Sequence, residues 1–443
     1  MLNLSKKFAN DPAYATAYYE FLSEYERLDH MTRVPDGQSE PDLAYYLPHH
    51  GIVRESSLST RLRVVFNGSS RSNTGTSLND LLHTGTKLQT DRIFWISQDK
   101  DVATYQLKTV TYGLACAPFL ALRTLTQLIK DDGSKFPLAI PSLTQGRYVD
   151  DIFGGADTIP QVHEIVHQLN SLCMAGGFPL QKWTSNHPAI LDFILPEKHA
   201  HSSIQFDQSS TVHVLGLQWN PSTDTFHYSV TTSIPTIMTK RIILSTIAKV
   251  FDPLGLLAPI LITAKIFMQE LWAIKLGWDD PLPLPISNKW AEFLELLQHI
   301  PQLNFPRWIN FESGRRLEIH GFCDASQKAI CATIYIRSSN QKGEITTSLI
   351  CSKTKVAPLK KITIPRLELS GAVMLNNLVS RVLQILQFDD LPIYLWTDSA
   401  VVYTWINSHP SRWKEFVHNR VCQIHETLPQ AIWKFIPSRL CNQ

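Results

Sequence analysis

The chain has 443 residues, of which 44% are hydrophobic and 18% charged, with a formal charge of +2. That length implies about two to four domains and a sizeable core. The near-neutral charge excludes a global electrostatic drive towards nucleic acid, so any basic footprint must be local. Seven scattered cysteines without a CxxC pair speak against a disulfide framework or zinc knuckle and for a reducing, intracellular setting. No secretory signal is expected, because charged and polar residues interrupt every short apolar run near the start. The most apolar region, 241–278, is broken by Lys249, Asp252, Pro253, Pro259 and Lys265, so no membrane span is expected.

Residues 13–28, AYATAYYEFLSEYERL, space Tyr and Leu as a helix does, and 32–44 follow as a polar linker. His49-His50 lacks further ligands at metal spacing and reads as structural. Arg63–Phe66 reads as a short strand stopped by Asn67-Gly68. Tyr105–Thr111, YQLKTVT, alternates as a strand; Gly113 ends it, and APFLALRTLTQLI reads as a helix. RYVDDIFGGAD places two acids between short apolar arms, as a hairpin would. The next helix has Pro160 near its first turn, an apolar stripe of Val162, Ile165, Val166, Leu169 and Leu172, and Gly176 as its stop. Two strand-like runs follow, the second being TVHVLGLQWN. Residues 230–315 read as a mostly helical connection with a proline cluster near 280. From Leu317 the pattern becomes β-β-β-α-β-α, the order of a separate α/β domain.

Three acids of that last domain stand out. Asp324 ends the strand LEIHGFCDAS with the parity of His320 and Phe322, and Asp398 ends the strand LPIYLWTDS. Open α/β sheets carry functional residues at strand ends. Glu368 shares a helical face with Ala372, Leu375, Val379 and Val382. A glutamate there carries a desolvation cost unless it has a partner, either a metal ion or an arginine such as Arg366. Singly, each acid reads as a solvated cap; in this order of elements the three read as one site.

This constellation resembles the ribonuclease H-like fold. The resemblance implies that Asp324, Glu368 and Asp398 bind two Mg²⁺ ions, which suits hard oxygen donors and the hydrolysis of a phosphodiester. A fourth acid is expected in an NxAD-like turn after the last strand. That strand is read as IWKFIPS, and the chain stops at Asn442-Gln443, so the fourth acid is expected to be absent.

The Tyr148–Asp151 turn resembles the YxDD hairpin of reverse transcriptases, which makes Asp150 and Asp151 metal-binding catalytic candidates. LRVVFNG resembles the fingers strand, implying a triphosphate contact for Arg63. TVTYGLACAPFLALR resembles the segment under the template and incoming nucleotide, with Gly113 permitting close approach. GGFPLQKWTSN implies a place for Lys182 near the leaving pyrophosphate, and VHVLGLQWN, with Trp219, resembles the primer grip. Together with YYLPHHGIVRESS, SLNDLLHTGTKLQTD, YVDDIFGGADT and VFDPLGLLAP (Val250 to Pro259), these segments resemble the polymerase of Pao/BEL-type long-terminal-repeat retrotransposons over nearly the whole chain.

One departure bears on activity. In that family a further catalytic Asp lies in a segment like FTADIxKMYRQI, upstream of the hairpin. Here Thr90-Asp91 runs directly into Arg92-Ile93-Phe94-Trp95, and a few dozen residues are missing relative to the pattern. Asp91, Asp99 and Asp101 lie nearby in a polar context, SQDKD, that reads as a surface turn. The fingers position usually held by an aspartate is Asn67. The closed-up palm is expected to place YQLKTVT beside the hairpin or to be disordered.

The expected fold is multidomain α+β and α/β. It comprises an N-terminal helix and linker (1–40), an incomplete reverse-transcriptase fingers/palm (41–228, interrupted near 91/92), a helical connection (229–315) and a ribonuclease H-like domain (316–443). The expected partners are RNA, DNA and RNA–DNA hybrid, with Mg²⁺ as cofactor. Basic candidates for the nucleic-acid surface are Arg412, Lys414 and Arg420 around Trp413, and the lysines of CSKTKVAPLKK, which read equally as a solvated loop. Trp413 reads equally as core. The expected function is that of a retrotransposon polymerase/ribonuclease H derivative with polymerase activity lost or impaired. The alternatives are a decayed or co-opted nucleic-acid binder without catalysis and, as a minor reading, a Pao-type peptidase. No Asp-Thr/Ser-Gly signature supports the peptidase, and Asp398-Ser399-Ala400 is its nearest approach.

Overall fold

The computed structural model describes residues 2–35, 44–53, 62–72, 75–82, 90–96, 102–199, 211–230, 237–311, 314–388 and 390–437. It is a mixed helix-and-sheet, multidomain protein whose two compact units are Met1–Gln181 and Lys182–Gln443.

The first unit opens with α1 (Leu2–Asn10) and α2 (Pro12–Arg27), the latter N-capped by Asp11, whose carboxylate accepts from the Tyr14 amide at 2.9 Å. Its strands are β1 (Met31–Arg33), β2 (Ala44–Tyr46), β3 (His49–Val53), β4 (Leu62–Phe66), β5 (Thr90–Ile96) and β6 (Val102–Leu107), with the short α3 (Leu78–Leu81) between β4 and β5. One sheet runs β1-β6-β5-β2, and β3-β4 pair separately. Tyr18 of α2 stacks on Trp95 of β5 at 5.7 Å, and Leu22, Phe66 and Ile93 fill the core beneath. The His49 ring bonds the Tyr18 hydroxyl (2.6 Å) and the Phe94 carbonyl (2.9 Å), a structural use of that histidine.

The unit continues through α4 (Ala117–Asp132), α5 (Ile140–Thr144), the hairpin β7 (Arg147–Tyr148) and β8 (Asp151–Ile152), and α6 (Ile159–Ala175). The hairpin forms a sheet of its own. The expected neighbour, YQLKTVT, is not beside it, because β6 already pairs with β1 on one side and β5 on the other and has no free edge. Strand β5 runs unbroken across Asp91-Arg92, pairing with β2 and β6. Asp91 is fully buried and Arg92 nearly so, so the surface-turn reading of Asp91 is corrected: cross-strand pairing, not local polarity, decides its place. Asp99 and Asp101 lie outside the described residues.

The second unit carries α7 (Pro188–Leu191), then β9 (Val212–Val214), β10 (Leu217–Asn220) and β11 (Thr225–His227). VHVLGLQWN, read as one strand, is two, because Leu215 and Gly216 both take positive φ (50° and 85°) and close a two-residue hairpin turn. Helices α8 (Lys240–Lys249), α9 (Ala258–Ala273) and α10 (Leu284–Leu297) pack around fully buried Trp290 and Ile243, and β12 (Phe305–Pro306) completes the sheet β12-β11-β10-β9.

The larger sheet contains β13 (Arg316–Ala325), β14 (Ala329–Ser339), β15 (Ile345–Val356), β16 (Ile393–Thr397) and β17 (Ile432–Phe435), in the order β15-β14-β13-β16-β17. The pairs on the β14 and β15 side are antiparallel; β13-β16 and β16-β17 are parallel. Helix α11 (Ile364–Leu386) supplies the crossover from β15 to β16, burying Leu369, Ala372, Leu375 and Val379 against Ile319, Ile334 and Leu395 of the sheet. Helices α12 (Ala400–Ile406) and α13 (Glu415–Thr427) complete the domain. The Cys351–Val356 half of CSKTKVAPLKK is strand rather than loop, with Lys353 and Lys355 exposed along the edge strand β15.

The VFDPLG stretch has a local physical account. Asp252 accepts from the Leu256 and Leu257 amides (2.9 Å each) and from the Tyr228 hydroxyl (2.8 Å), fixing the entry to α9. The turn then docks on β15, where the Ser352 amide donates to the Leu254 carbonyl at 2.8 Å. Gly255 sits at φ 71°, and a Cβ there would be 1.9 Å from the Ser352 carbonyl oxygen. A Gly255→Ala chain is therefore expected to lose about 1–3 kcal/mol of stability. Thermal melting followed by circular dichroism checks this, and an unchanged midpoint contradicts it.

Candidate functional site

The parallel register of β13 on β16 sets Cys323 opposite Thr397. The next residue on each strand is an aspartate, so Asp324 and Asp398 emerge side by side at the same sheet end. Helix α11 crosses that end, and Gly371 faces the Asp324 carbonyl. Glu368, nearly one turn earlier on α11, is thereby brought in from above with 6% exposure. Ligand oxygens of Asp324, Glu368 and Asp398 all lie within 4.8 Å of one another. Asp324 is exposed and Asp398 half-buried, so the cluster opens to one side.

Asp324 Oδ1 accepts from the Ala325 amide at 2.7 Å. Glu368 Oε2 is buried without a hydrogen-bond partner among the described residues. Arg366, the alternative partner for Glu368, points elsewhere: its guanidinium lies over the Phe416 ring. Burial, then the charges of Asp324 and Asp398, push the Glu368 carboxyl up to about 8, with the Ala325 amide opposing. Burial and Asp324 likewise raise Asp398, against its own backbone amide. The Cys323 thiol beneath is raised by burial and by the Glu368 charge. Three hard oxygen donors with an orphaned buried atom and mutual repulsion fit a divalent cation of the Mg²⁺ type.

Residues 239–399 match the family described as Pao retrotransposon-like RNaseH-like domain, a span that runs from the cap of α8 to just past Asp398 and contains all three acids. The matched span is a little over a third of this chain. No curated protein matches it. Among solved structures, it is similar to the foamy viral protease-reverse transcriptase in complex with RNA/DNA hybrid, at 13% identity, TM-score 0.46, covering 94% of this chain and 52% of that one. The chain thus spans about half the length of that foamy viral chain. It also matches ribonuclease H1 from the halophilic archaeon Halobacterium salinarum NRC-1, at 13% identity and TM-score 0.20, over 28% of this chain and 89% of that one.

The remaining candidates are dispersed. Asp150 sits in the exposed turn of β7-β8 and Asp151 at the exposed start of β8. Among the described residues they join no three-acid group of metal-binding spacing. Val149 holds φ 54°, an uncommon conformation for a β-branched residue, in the turn that presents Asp150, and Tyr148 is 61% exposed. Arg63 points out of β4 and lies 5.3 Å from the Tyr112 ring centroid. Gly113, at φ 91°, is so close to the Phe66 carbonyl that a Cβ would sit 2.1 Å from it. Lys182 is exposed at φ 58°.

The Trp219 indole donates to Asp224 (2.9 Å), which also pairs with Arg307, so this tryptophan stitches β10 to its neighbours. Arg412 and Lys414 are exposed, whereas Trp413 donates to the Trp405 carbonyl (3.2 Å) and packs on the core. Ser399, in the weighed Asp-Ser-Ala stretch, caps α12 through the Val402 amide. The contact that sequence reading missed is Arg366 with Phe416 and Arg420; the i,i+4 spacing of the last two was its visible half.

The carboxylate cluster makes stability pH-dependent in a definite direction. With Glu368 near 8 in the fold and 4.5 when unperturbed, the folded chain holds the extra proton between those values. Without divalent ions, stability therefore falls as pH rises from about 4.5 to about 8. A Glu368→Gln chain is expected to melt higher than the unaltered chain at pH 8 in chelator, with the difference shrinking towards pH 5. Melting curves across that range check the sign, and a Gln chain that melts lower at pH 8 contradicts it.

Proposed function

We propose that this chain is a retroelement polymerase/ribonuclease H derivative whose C-terminal unit cleaves the RNA of an RNA–DNA hybrid, and whose polymerase half is impaired. The observation that carries this reading is the Asp324–Glu368–Asp398 cluster at the end of two parallel strands. Those three residues would hold Mg²⁺. When bound, the metal activates the attacking water and stabilises the leaving oxygen of the phosphodiester. Asp324, on the exposed side, faces substrate, while Glu368 and Asp398 are fixed by their burial in α11 and beside β16. Exposed Arg412 and Lys414 would contact phosphates, which positions a strand without reading its sequence.

In the polymerase half, Asp150 and Asp151 would be the catalytic acids, with Arg63, Gly113, Tyr148, Lys182 and Trp219 as its nucleotide and nucleic-acid contacts. The direct passage of β5 through Asp91-Arg92 supports the loss of the segment that carries the partner aspartate. A second reading, nucleic-acid binding without cleavage, is favoured by one observation: the cluster contains three acids rather than four among the described residues.

The two readings separate on an RNA–DNA hybrid. The proposal expects Mg²⁺-dependent cleavage by the unaltered chain, and at least about a hundredfold loss in Asp398→Asn, since each metal-bound acid stabilises transition-state charge. Binding without cleavage favours the second reading. Primer extension on an RNA template is expected to yield no product above background, and robust Mg²⁺-dependent synthesis contradicts the impairment.

A further inference from the structure

Helix α9 reaches the sheet that carries the carboxylates through one side chain. Gln269 lies on α9 between the core residues Met268 and Leu271, and its Nε2 donates to the Ala357 carbonyl at 2.7 Å. Ala357 follows the last residue of β15, and Pro358 after it has no amide. Among the described residues, no backbone amide donates to the Ala357 carbonyl. Gln269 therefore satisfies a carbonyl at which the sheet ladder ends. The Ala357 amide in turn donates to the Lys328 carbonyl at 2.8 Å, in the turn that joins β13 to β14.

That turn starts at the carboxylate cluster. Asp324 is followed by Ala325, whose amide donates to Asp324 Oδ1 at 2.7 Å and also acts on the Glu368 carboxyl. Ala357, Ile330 and Leu367 form a small buried cluster of their own, with Ala325 and Met374 packed against it. Leu367 is the residue before Glu368. Ala357 thus sits among the supports of two of the three acids, the turn after Asp324 and the helical turn that carries Glu368.

The packing around Ala357 is incomplete. A cavity lined by Gln269, Gln327, Ala357, Leu359, Lys361 and Leu367 opens at the junction. A methyl side chain beside a cavity cannot fix its own place by shape, so the hydrogen bond from Gln269 carries that role. The neighbouring Glu270–Lys328 pair adds little, at 3.9 Å between two exposed side chains.

We propose that Gln269 is a positioning residue: by holding Ala357 it sets the β13–β14 turn and the start of α11 at the separation that keeps Asp324 and Glu368 in one cluster. It touches neither metal nor substrate. Its effect on metal affinity rests on the carboxylate cluster alone, and its effect on turnover rests on the hybrid-cleaving reading above. Metal-ligating and catalytic groups need their supports fixed to within about 0.5 Å, so a displaced turn is felt at the ligands. The candidate nuclease site then depends on a helix whose own core, around Trp290, lies outside the sheet domain.

The test uses the full chain, with Mn²⁺ affinity read by electron paramagnetic resonance and steady-state cleavage of an RNA–DNA hybrid measured beside it. For Gln269→Met, which keeps the length and removes the donor, Mn²⁺ affinity is expected to fall about threefold to tenfold and kcat about tenfold, with KM within about twofold of the unaltered chain. Gln269→Lys, which keeps a donor at that reach, is expected to recover most of both losses. Gln269→Glu, which sets a carboxylate against the carbonyl, is expected to weaken Mn²⁺ binding at least as far as Gln269→Met does. Ile243→Val trims the buried core of the helical bundle, and is expected to lower the melting midpoint while leaving Mn²⁺ affinity unchanged.

The proposal is overturned if Gln269→Met binds Mn²⁺ as the unaltered chain does, if Gln269→Lys is no better than Gln269→Met, or if Ile243→Val weakens Mn²⁺ binding equally. An unaltered chain that binds Mn²⁺ at the cluster without cleaving hybrid overturns the cleavage reading, while the Mn²⁺ affinities of the Gln269 variants still decide the positioning role. An unaltered chain that binds no Mn²⁺ overturns both.

Discussion

The parallel pairing of β13 with β16 is the constraint on which the second unit turns. A parallel pair cannot be closed by a tight turn; it needs a crossover, and here the crossover includes α11. The same connection therefore sets two aspartates at one sheet end and carries a helix across them. Asp324 and Asp398 follow from the register, Glu368 from the helix that makes the register possible. Moving any one of the three elements would separate the acids and also open the core formed by Ile319, Leu375 and Leu395. Fold and candidate chemistry are held by the same contacts.

That arrangement sets local stability against function. Three carboxylates within 4.8 Å repel one another, and one of them sits at 6% exposure with an oxygen that no described group satisfies. A fold selected for stability alone would place an apolar residue at position 368, since its neighbours on the helix face are Leu, Ala and Val. The raised carboxyl of Glu368 expresses the conflict, and a divalent cation held there would resolve it.

The ribonuclease H-like half was largely legible in the sequence because its signals are local and periodic. Strand parity placed Asp324, a strand end placed Asp398, and the apolar spacing of Ala372, Leu375 and Val379 located Glu368 on the inner face of α11. What escaped was decided at long range. Asp91 lies in polar surroundings along the chain, yet pairing of β5 with β2 and β6 buries it. TVHVLGLQWN has strand composition throughout, but positive φ at Leu215 and Gly216 folds it into two strands. YQLKTVT, expected either beside the hairpin or disordered, is instead paired along both edges, with β1 and β5. The hydrogen bond of Trp219 to Asp224, and the pairing of Asp224 with Arg307 more than eighty positions away, carry no local signal. Arg366 and Arg420 are separated by the whole of β16 and α12, and no spacing rule connects them.

The first unit, proposed above as a polymerase half, rests on a different footing. Its hairpin is formed, with Val149 held at positive φ and Asp150 presented at the turn, but no third described acid stands within metal-binding reach. The two candidate centres therefore differ by one residue supplied in space, and divalent-ion binding reads that difference directly. The decisive measurement is a Mn²⁺ titration of the full chain followed by electron paramagnetic resonance, in the unaltered chain and in Asp324→Asn, Asp398→Asn and Asp150→Asn. The account predicts bound Mn²⁺ that is lost in the first two variants and kept in the third. Binding that survives both Asp324→Asn and Asp398→Asn, or no bound ion at millimolar Mn²⁺ in the unaltered chain, would contradict it.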